Sequence, residues 1–230
     1  MRKFTLLAAA AFAATAVPAS AAIQLFDVPG AVQPDQNVLL PTGQSATTVF
    51  GSTNQTGTSV TFQSLTCTTP GNCTTFGDTL TTPANGQARI ESTDGSIDAL
   101  QFFLTLGGSF TQFEFNLFNA VTTTQTLTLF GISNGGTPFS QVFNLDGNGQ
   151  NFFAGNATGG DVFTRIAFDA SGQGGADVRQ VRIGGLAGPN GNPLPLPEPG
   201  TWGMMILGFG AAGIAIRRSR RRKALLTQIA

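Results

Sequence analysis

The sequence predicts an all-β fold: an antiparallel two-sheet sandwich, jelly-roll-like, of about eight to ten strands spanning roughly Ile23 to Gly185. Three observations carry this. Apolar residues recur at every second position in Leu100, Phe102, Leu104 and Leu106, in Phe113, Phe115 and Leu117, and in Leu127 and Leu129. Polar residues take the places between them, as in Gln112, Glu114 and Asn116, which is the signature of a strand with one buried face. Glycine-rich breaks separate many of these runs: Gly107-Gly108, Asn134-Gly135-Gly136, Asp146-Gly147-Asn148-Gly149, Gly159-Gly160 and Gly174-Gly175. No segment between the two ends of the chain carries an i, i+3, i+4, i+7 apolar stripe.

The elements follow in chain order. Arg2 and Lys3 precede an apolar stretch, Phe4 to Val17, and the small-residue site Ala19-Ser20-Ala21. Residues 1–21 therefore read as a secretory signal peptide cut between Ala21 and Ala22. Residues 22–185 form the exported β-sandwich domain. Its section from Gly30 to Thr82 is dense in threonine and predicts short strands with long loops. Cys67 and Cys73 are the only cysteines. Export to an oxidising compartment and the turn-forming Pro70-Gly71 predict a disulfide between them. Further strands are predicted at Val60 to Phe62, Val142 to Leu145, Asn151 to Phe153, Thr164 to Phe168 and Val178 to Ile183. Residues 186–200 are a Gly/Pro linker, stiffened by the alternating prolines from Pro193 to Pro199.

The net charge of zero for the whole chain conceals an acidic domain. Between Ala22 and Leu196 there are four bases (Arg89, Arg165, Arg179, Arg182) against eleven acids, a net charge of −7. An acidic domain without lysine argues against nucleic acid and anionic lipid as partners. The chain has no histidine and no tyrosine. Ser-His-Asp and Cys-His nucleophiles and histidine-based metal sites are thereby excluded. Two carboxyl groups suffice for a glycosidase, and Glu91 and Glu114 are the only glutamates before the linker. The phenylalanines flanking Glu114 turn it toward solvent, so the simpler reading is a solvated strand residue.

No cofactor is expected. A structural calcium is compatible with Asp146-Gly147-Asn148-Gly149-Gln150, Asp94 or Asp169. The first segment lacks the distant bidentate glutamate of an EF-hand, and its Asp-Gly and Asn-Gly pairs form turns. No metal ligand set is assigned.

The C-terminus ends in Pro197-Glu198-Pro199, an apolar run over residues 201–216, and a basic tail over residues 217–230. The run predicts a single C-terminal transmembrane helix, although its sixteen residues span roughly 24 Å, short for a bilayer core of about 30 Å. Arg217, Arg218, Arg220, Arg221, Arg222 and Lys223 hold this tail in the cytoplasm and leave the bulk of the chain outside. Pro197, Glu198, Pro199, Trp202, Met204-Met205, Gly208, Phe209, Gly210 and the arginine cluster resemble the PEP-CTERM sorting domain of Gram-negative bacteria, in its PEPxxWA-type variant. Gly203 stands where that variant usually has alanine. The resemblance covers Pro197 to Lys223. It implies transient anchoring in the inner membrane and cleavage near Pro197-Glu198-Pro199 by an exosortase, a membrane-embedded cysteine protease. It also implies an association with exopolysaccharide and biofilm export.

The expected function is accordingly that of a non-enzymatic exported protein, structural or adhesive, at the cell surface or in the extracellular matrix. The alternative is a carbohydrate-binding module for exopolysaccharide, and a glycosidase ranks third.

Overall fold

The computed structural model describes residues 22–69, 72–75, 77–84, 89–119, 125–133, 136–147, 149–170, 175–192 and Phe209. The expected segments 1–21 and, apart from Phe209, 193–230 lie outside these. Fifteen strands form: β1 (Ala22–Phe26), β2 (Gln36–Leu39), β3 (Ser45–Ala46), β4 (Thr48–Thr53), β5 (Ser59–Thr69), β6 (Asn72–Thr75), β7 (Leu80–Thr81), β8 (Arg89–Ser92), β9 (Ala99–Leu104), β10 (Gln112–Asn119), β11 (Gln125–Ser133), β12 (Pro138–Leu145), β13 (Gly149–Thr158), β14 (Phe163–Asp169) and β15 (Gly175–Gly184). The number exceeds the expected eight to ten because the threonine-rich region breaks into pieces, β3 and β7 having two residues each.

Neighbouring strands pair antiparallel in the order β1-β13-β10-β15-β2-β4-β5-β9-β14-β11-β12, a nearly closed, barrel-like sheet whose free edges are β1 and β12. The all-β antiparallel class is as expected. The hydrogen bonding, however, is one continuous path and not two separate sheets, and β2 is the reason. Its Gln36 and Asn37 pair with Ile183 and Arg182 of β15, while Val38 and Leu39 pair with Thr53 and Ser52 of β4. Gln36 is buried, and its side-chain oxygen accepts from the Thr56 hydroxyl at 2.9 Å, which removes the penalty of an unpartnered amide.

Phenylalanine fills the interior. Phe102 of β9 meets Phe113 and Phe115 of β10 edge-on, at centroid distances of 6.1 and 6.0 Å. Phe115 also packs on Phe153 at 5.5 Å and on Phe168 at 5.6 Å. These rings come from four strands, β9, β10, β13 and β14, and meet in the interior. Gly155 of β13 lies between Leu25 of β1 and Phe113 of β10, and a Cβ there would strike the Phe113 ring and the Leu25 side chain. Leu106, expected on the core face with Leu104, is instead 86% exposed. The strand ends at Leu104, and Gly107 N–H closes a turn onto the Leu104 carbonyl at 3.0 Å.

Two local features shape the outer surface. The far end of β5 turns back through β6, with Cys67 opposite Cys73 and a disulfide between them, as expected from the sequence. This hairpin lies over the outer face, where Leu65, Ala99 and Ala167 form a second small apolar cluster with Cys67, Cys73 and Phe130 against it. On β15 the register slips: Glu114 of β10 faces Arg182, but Asn116 faces Arg179. Gln180 takes up the extra residue with φ 53°, a β-bulge in the left-handed region. Val178 and Val181 therefore both reach the core although three residues apart.

Candidate functional site

Of the sorting residues, Pro197, Glu198, Pro199, Trp202, Gly208, Gly210, Arg217, Arg218, Arg220, Arg221 and Arg222 lie outside the described residues, as do Ala19 and Ala21 of the expected cleavage site. Phe209 is helical and exposed, and Ala22 opens β1 opposite Thr158. Among the described residues no helix is long and apolar enough to cross a membrane.

The glutamate pair is not assembled. Glu114 faces Arg182 on β15, whereas Glu91 of β8 faces Asp177 on the other side of β15. Five positions along β15 amount to roughly 16 Å, beyond the roughly 5–9.5 Å that glycoside hydrolysis uses. Each glutamate has a cation instead: Arg89 Nε lies 2.8 Å from Glu91 Oε1, and Arg182 Nη1 lies 3.8 Å from Glu114 Oε1. The Arg89 contact is an ion pair without hydrogen-bond alignment, since that Nε–H has no acceptor in line. Glu114 is also not solvated. It does face away from the phenylalanine core, as alternation requires, but the loop after β1 covers it, and the Gly30 N–H donates to Oε2 at 2.9 Å. Beside it, Arg179 grips Asp177 with two nitrogens, Nη2 to Oδ2 at 2.6 Å, and stacks over Phe118 at 4.4 Å. Hydrogen bonding to Asp177 raises the Arg179 guanidinium above its ordinary range. The patch thus holds three separate ion pairs along β8, β15 and β10.

Of the candidate calcium segments, Asp146-Gly147 and Asp94 lie in turns, whereas Asp169 ends β14. Asn151 Oδ1 accepts from the Asp146 N–H at 2.7 Å, and its Nδ2 donates to the Asp146 carbonyl at 3.3 Å, so the Asn151 side chain plugs the β12–β13 turn. Asp94 Oδ1 accepts from the Ser92 hydroxyl at 2.6 Å and the Ser96 N–H at 3.1 Å. The Asp169 carboxylate comes within 4.8 Å of both cysteine sulfurs. Those sulfurs are joined to each other, so they offer no thiolates to a metal.

Asp94 belongs to a carboxylate neighbourhood with a definite pH signature. Burial pushes the Asp78 carboxyl above its ordinary 3.8; the Asp98 N–H opposes the rise and the charges of Asp94 and Asp98 add to it. Asp94 is held below 3.8 by the Ser92 hydroxyl and then the Ser96 N–H. A raised acid disfavours the folded state at neutral pH, and the penalty is relieved as pH falls through the raised folded value toward 3.8. Asp94 has the opposite sign: its contribution is full above 3.8 and disappears as pH falls through the depressed folded value. Asp78→Asn is therefore expected to raise stability at neutral pH, with the gain gone by about pH 3. Urea midpoints at the two pH values measure this, and a loss of stability at neutral pH would contradict it.

Two surface grooves lie among the described residues. One, about 410 Å³, opens where β1 ends and is lined by Asp27, Asn144, Asp146, Gln150 and Phe152 among others. The other, about 340 Å³, lies on the outer face of β11, β12 and β14 and is lined by Phe130, Gly131, Ile132, Gly136, Pro138, Phe139, Ser140 and Arg165. Neither was legible from any contiguous motif, since each draws on separate strands. A signal for the second was present in the sequence, though shared with Arg182, whose neighbours two positions away are Gln180 and Gly184. Arg89 and Arg179 each have an acid two positions away on the same strand, Glu91 and Asp177, and Arg165 has Phe163 and Ala167 there.

Residues 195–222 match the family model of the PEP-CTERM protein-sorting motif. The chain thus carries this motif near its C-terminus, in the position and order the sequence indicated. No curated protein and no solved structure matches the chain.

Proposed function

We propose that this is an exported bacterial protein, processed by an exosortase near Pro197-Glu198-Pro199 and delivered to the cell surface or the exopolysaccharide matrix, where it acts as a structural or adhesive component without enzymatic activity. The observation that carries the reading is the sorting motif over residues 195–222, joined by a proline linker to an all-β domain. The disulfide agrees with an oxidising destination. The two glutamates are engaged in separate ion pairs, which supports a non-catalytic role for them. We read the barrel as a flattened, jelly-roll-like sandwich, supported by the Phe102, Phe115 and Phe168 contacts across its interior. The hydrophobic run over residues 201–216 serves as the temporary membrane handle.

The test is the intact mass of the native protein from cells with and without the exosortase. The expected result is an N-terminus at Ala22 in both strains and loss of the chain beyond the Pro197-Glu198-Pro199 region only when the enzyme is present. A complete C-terminus in both strains would overturn the reading. Carbohydrate binding is a second reading, favoured by the groove that contains Arg165.

A further inference from the structure

We infer that the groove on the outer face of β11, β12 and β14 binds a carboxylate-bearing sugar, a uronate unit of an acidic polysaccharide, with Arg165 as the anion-binding residue. The inference rests on the carbohydrate-binding reading and names the ligand class and the site.

The first observation is the way cations are distributed. Three of the four described arginines are committed to acids: Arg89 to Glu91, Arg179 to Asp177 and Arg182 to Glu114. The Arg165 side chain makes no hydrogen bond or ion pair among the described residues. In a domain with eleven acids and four bases, an uncommitted guanidinium is the exception. Its orientation is built into the sheet. The register between β11 and β14 shifts where Ile132 faces Arg165 and Ser133 faces Phe163. That irregularity sends the Phe163 ring into the core and leaves Arg165 half-buried on the outer face.

The second observation is what surrounds it. Phe130 and Ile132 are half-buried on the same face, Pro138 and Ser140 opposite them are exposed, the Phe139 ring turns inward onto Phe163, and none of the lining residues is an acid. A guanidinium presents parallel N–H donors that match the two oxygens of a carboxylate, and partial burial strengthens that match. Apolar and aromatic walls accept the C–H face of a pyranose, and the Ser140 hydroxyl can serve a ring hydroxyl. The volume of about 340 Å³ falls at the small end of ligand pockets, room for about one to two sugar rings. A neutral sugar would fill the walls and leave the guanidinium without its acceptor.

The experiment titrates the full chain, purified in mild detergent, with oligogalacturonate, with its neutral methyl ester, and with acetate. Oligogalacturonate is expected to bind, the ester to bind roughly tenfold or more weakly, and acetate to bind far more weakly still. Arg165→Gln is expected to lower oligogalacturonate affinity by a similar factor. Ile132→Glu, which leaves Arg165 in place and sets a negative charge beside it, is expected to do the same, with unchanged circular dichroism melts confirming both folds. Equal binding of acid and ester, or no effect of either substitution, would overturn the Arg165 site while leaving carbohydrate binding standing. Acetate binding as tightly as the oligomer would reduce the site to a simple carboxylate pocket and overturn the sugar assignment. Absence of binding by acid and ester alike would overturn both this site and the carbohydrate reading.

Discussion

Phe115→Ala is expected to lower the stability of the domain by about 3–5 kcal/mol, the range for emptying a buried phenylalanine site. Phe115 is completely buried and packs within 5.5 to 6.3 Å, centroid to centroid, of Phe102, Phe113, Phe153 and Phe168. Rings from β9, β10, β13 and β14 cannot all close on the vacated space, since each is held by its own strand. A domain of this size has a total stability of about 5–15 kcal/mol, so the loss is a large part of it. The melting temperature should fall by roughly 10 °C or more. Far-UV circular dichroism is the appropriate probe. The only tryptophan, Trp202, lies in the sorting segment, and there is no tyrosine. A loss below about 1 kcal/mol would mean that this ring is not central to the core.

Glu114→Ala is expected to lower stability by about 2 kcal/mol and to free the loop after β1. Removing one member of a buried ion pair costs about 3–5 kcal/mol. The lower figure applies here because Arg182 is 34% exposed at its side chain and its charge can turn toward water. The Gly30 N–H also loses its acceptor, at 2.9 Å, and with it a tie across 84 residues of chain. Glu114→Gln keeps an acceptor for Gly30 and should lose less. Urea denaturation measures the first effect, and limited proteolysis between Asp27 and Asp35 the second. If alanine and glutamine behave alike and the loop stays protected, the Glu114 tether is not what holds it.

The strands were legible wherever one face is sealed by large side chains. From Gln112 to Leu117 every phenylalanine and leucine predicted inward is buried, because a period of two is a local property of the backbone. What covers the opposite face is not local. Glu114 was expected to be solvated, and the loop that buries it comes from the start of the domain, 84 residues earlier in the chain. The joining role of β2 was equally hidden: four residues, Gln36–Leu39, carry no pattern that announces a division of partners. The bulge on β15 has no sequence mark either, since its left-handed residue is Gln180 and not glycine. The sorting motif was readable for the opposite reason. It is contiguous, and its proline, apolar and basic parts occur in order, whereas the Arg165 groove is assembled from three strands and exists only in the fold.

The position of β15 has a mechanical consequence. The C-terminal linker leaves the domain just beyond this strand, and Ala187 still bridges to Ser109 on the way out. A pull on the tail therefore does not reach a free edge such as β1 or β12 first. It reaches a strand paired with β10 along most of its length on one side and with β8 and β2 on the other. To draw β15 out, these pairings must give way together, and Val178, Val181 and Ile183 must leave the core at the same time. A protein held at a surface by its C-terminal end would thus take the load at the part of its fold where the most bonds resist it.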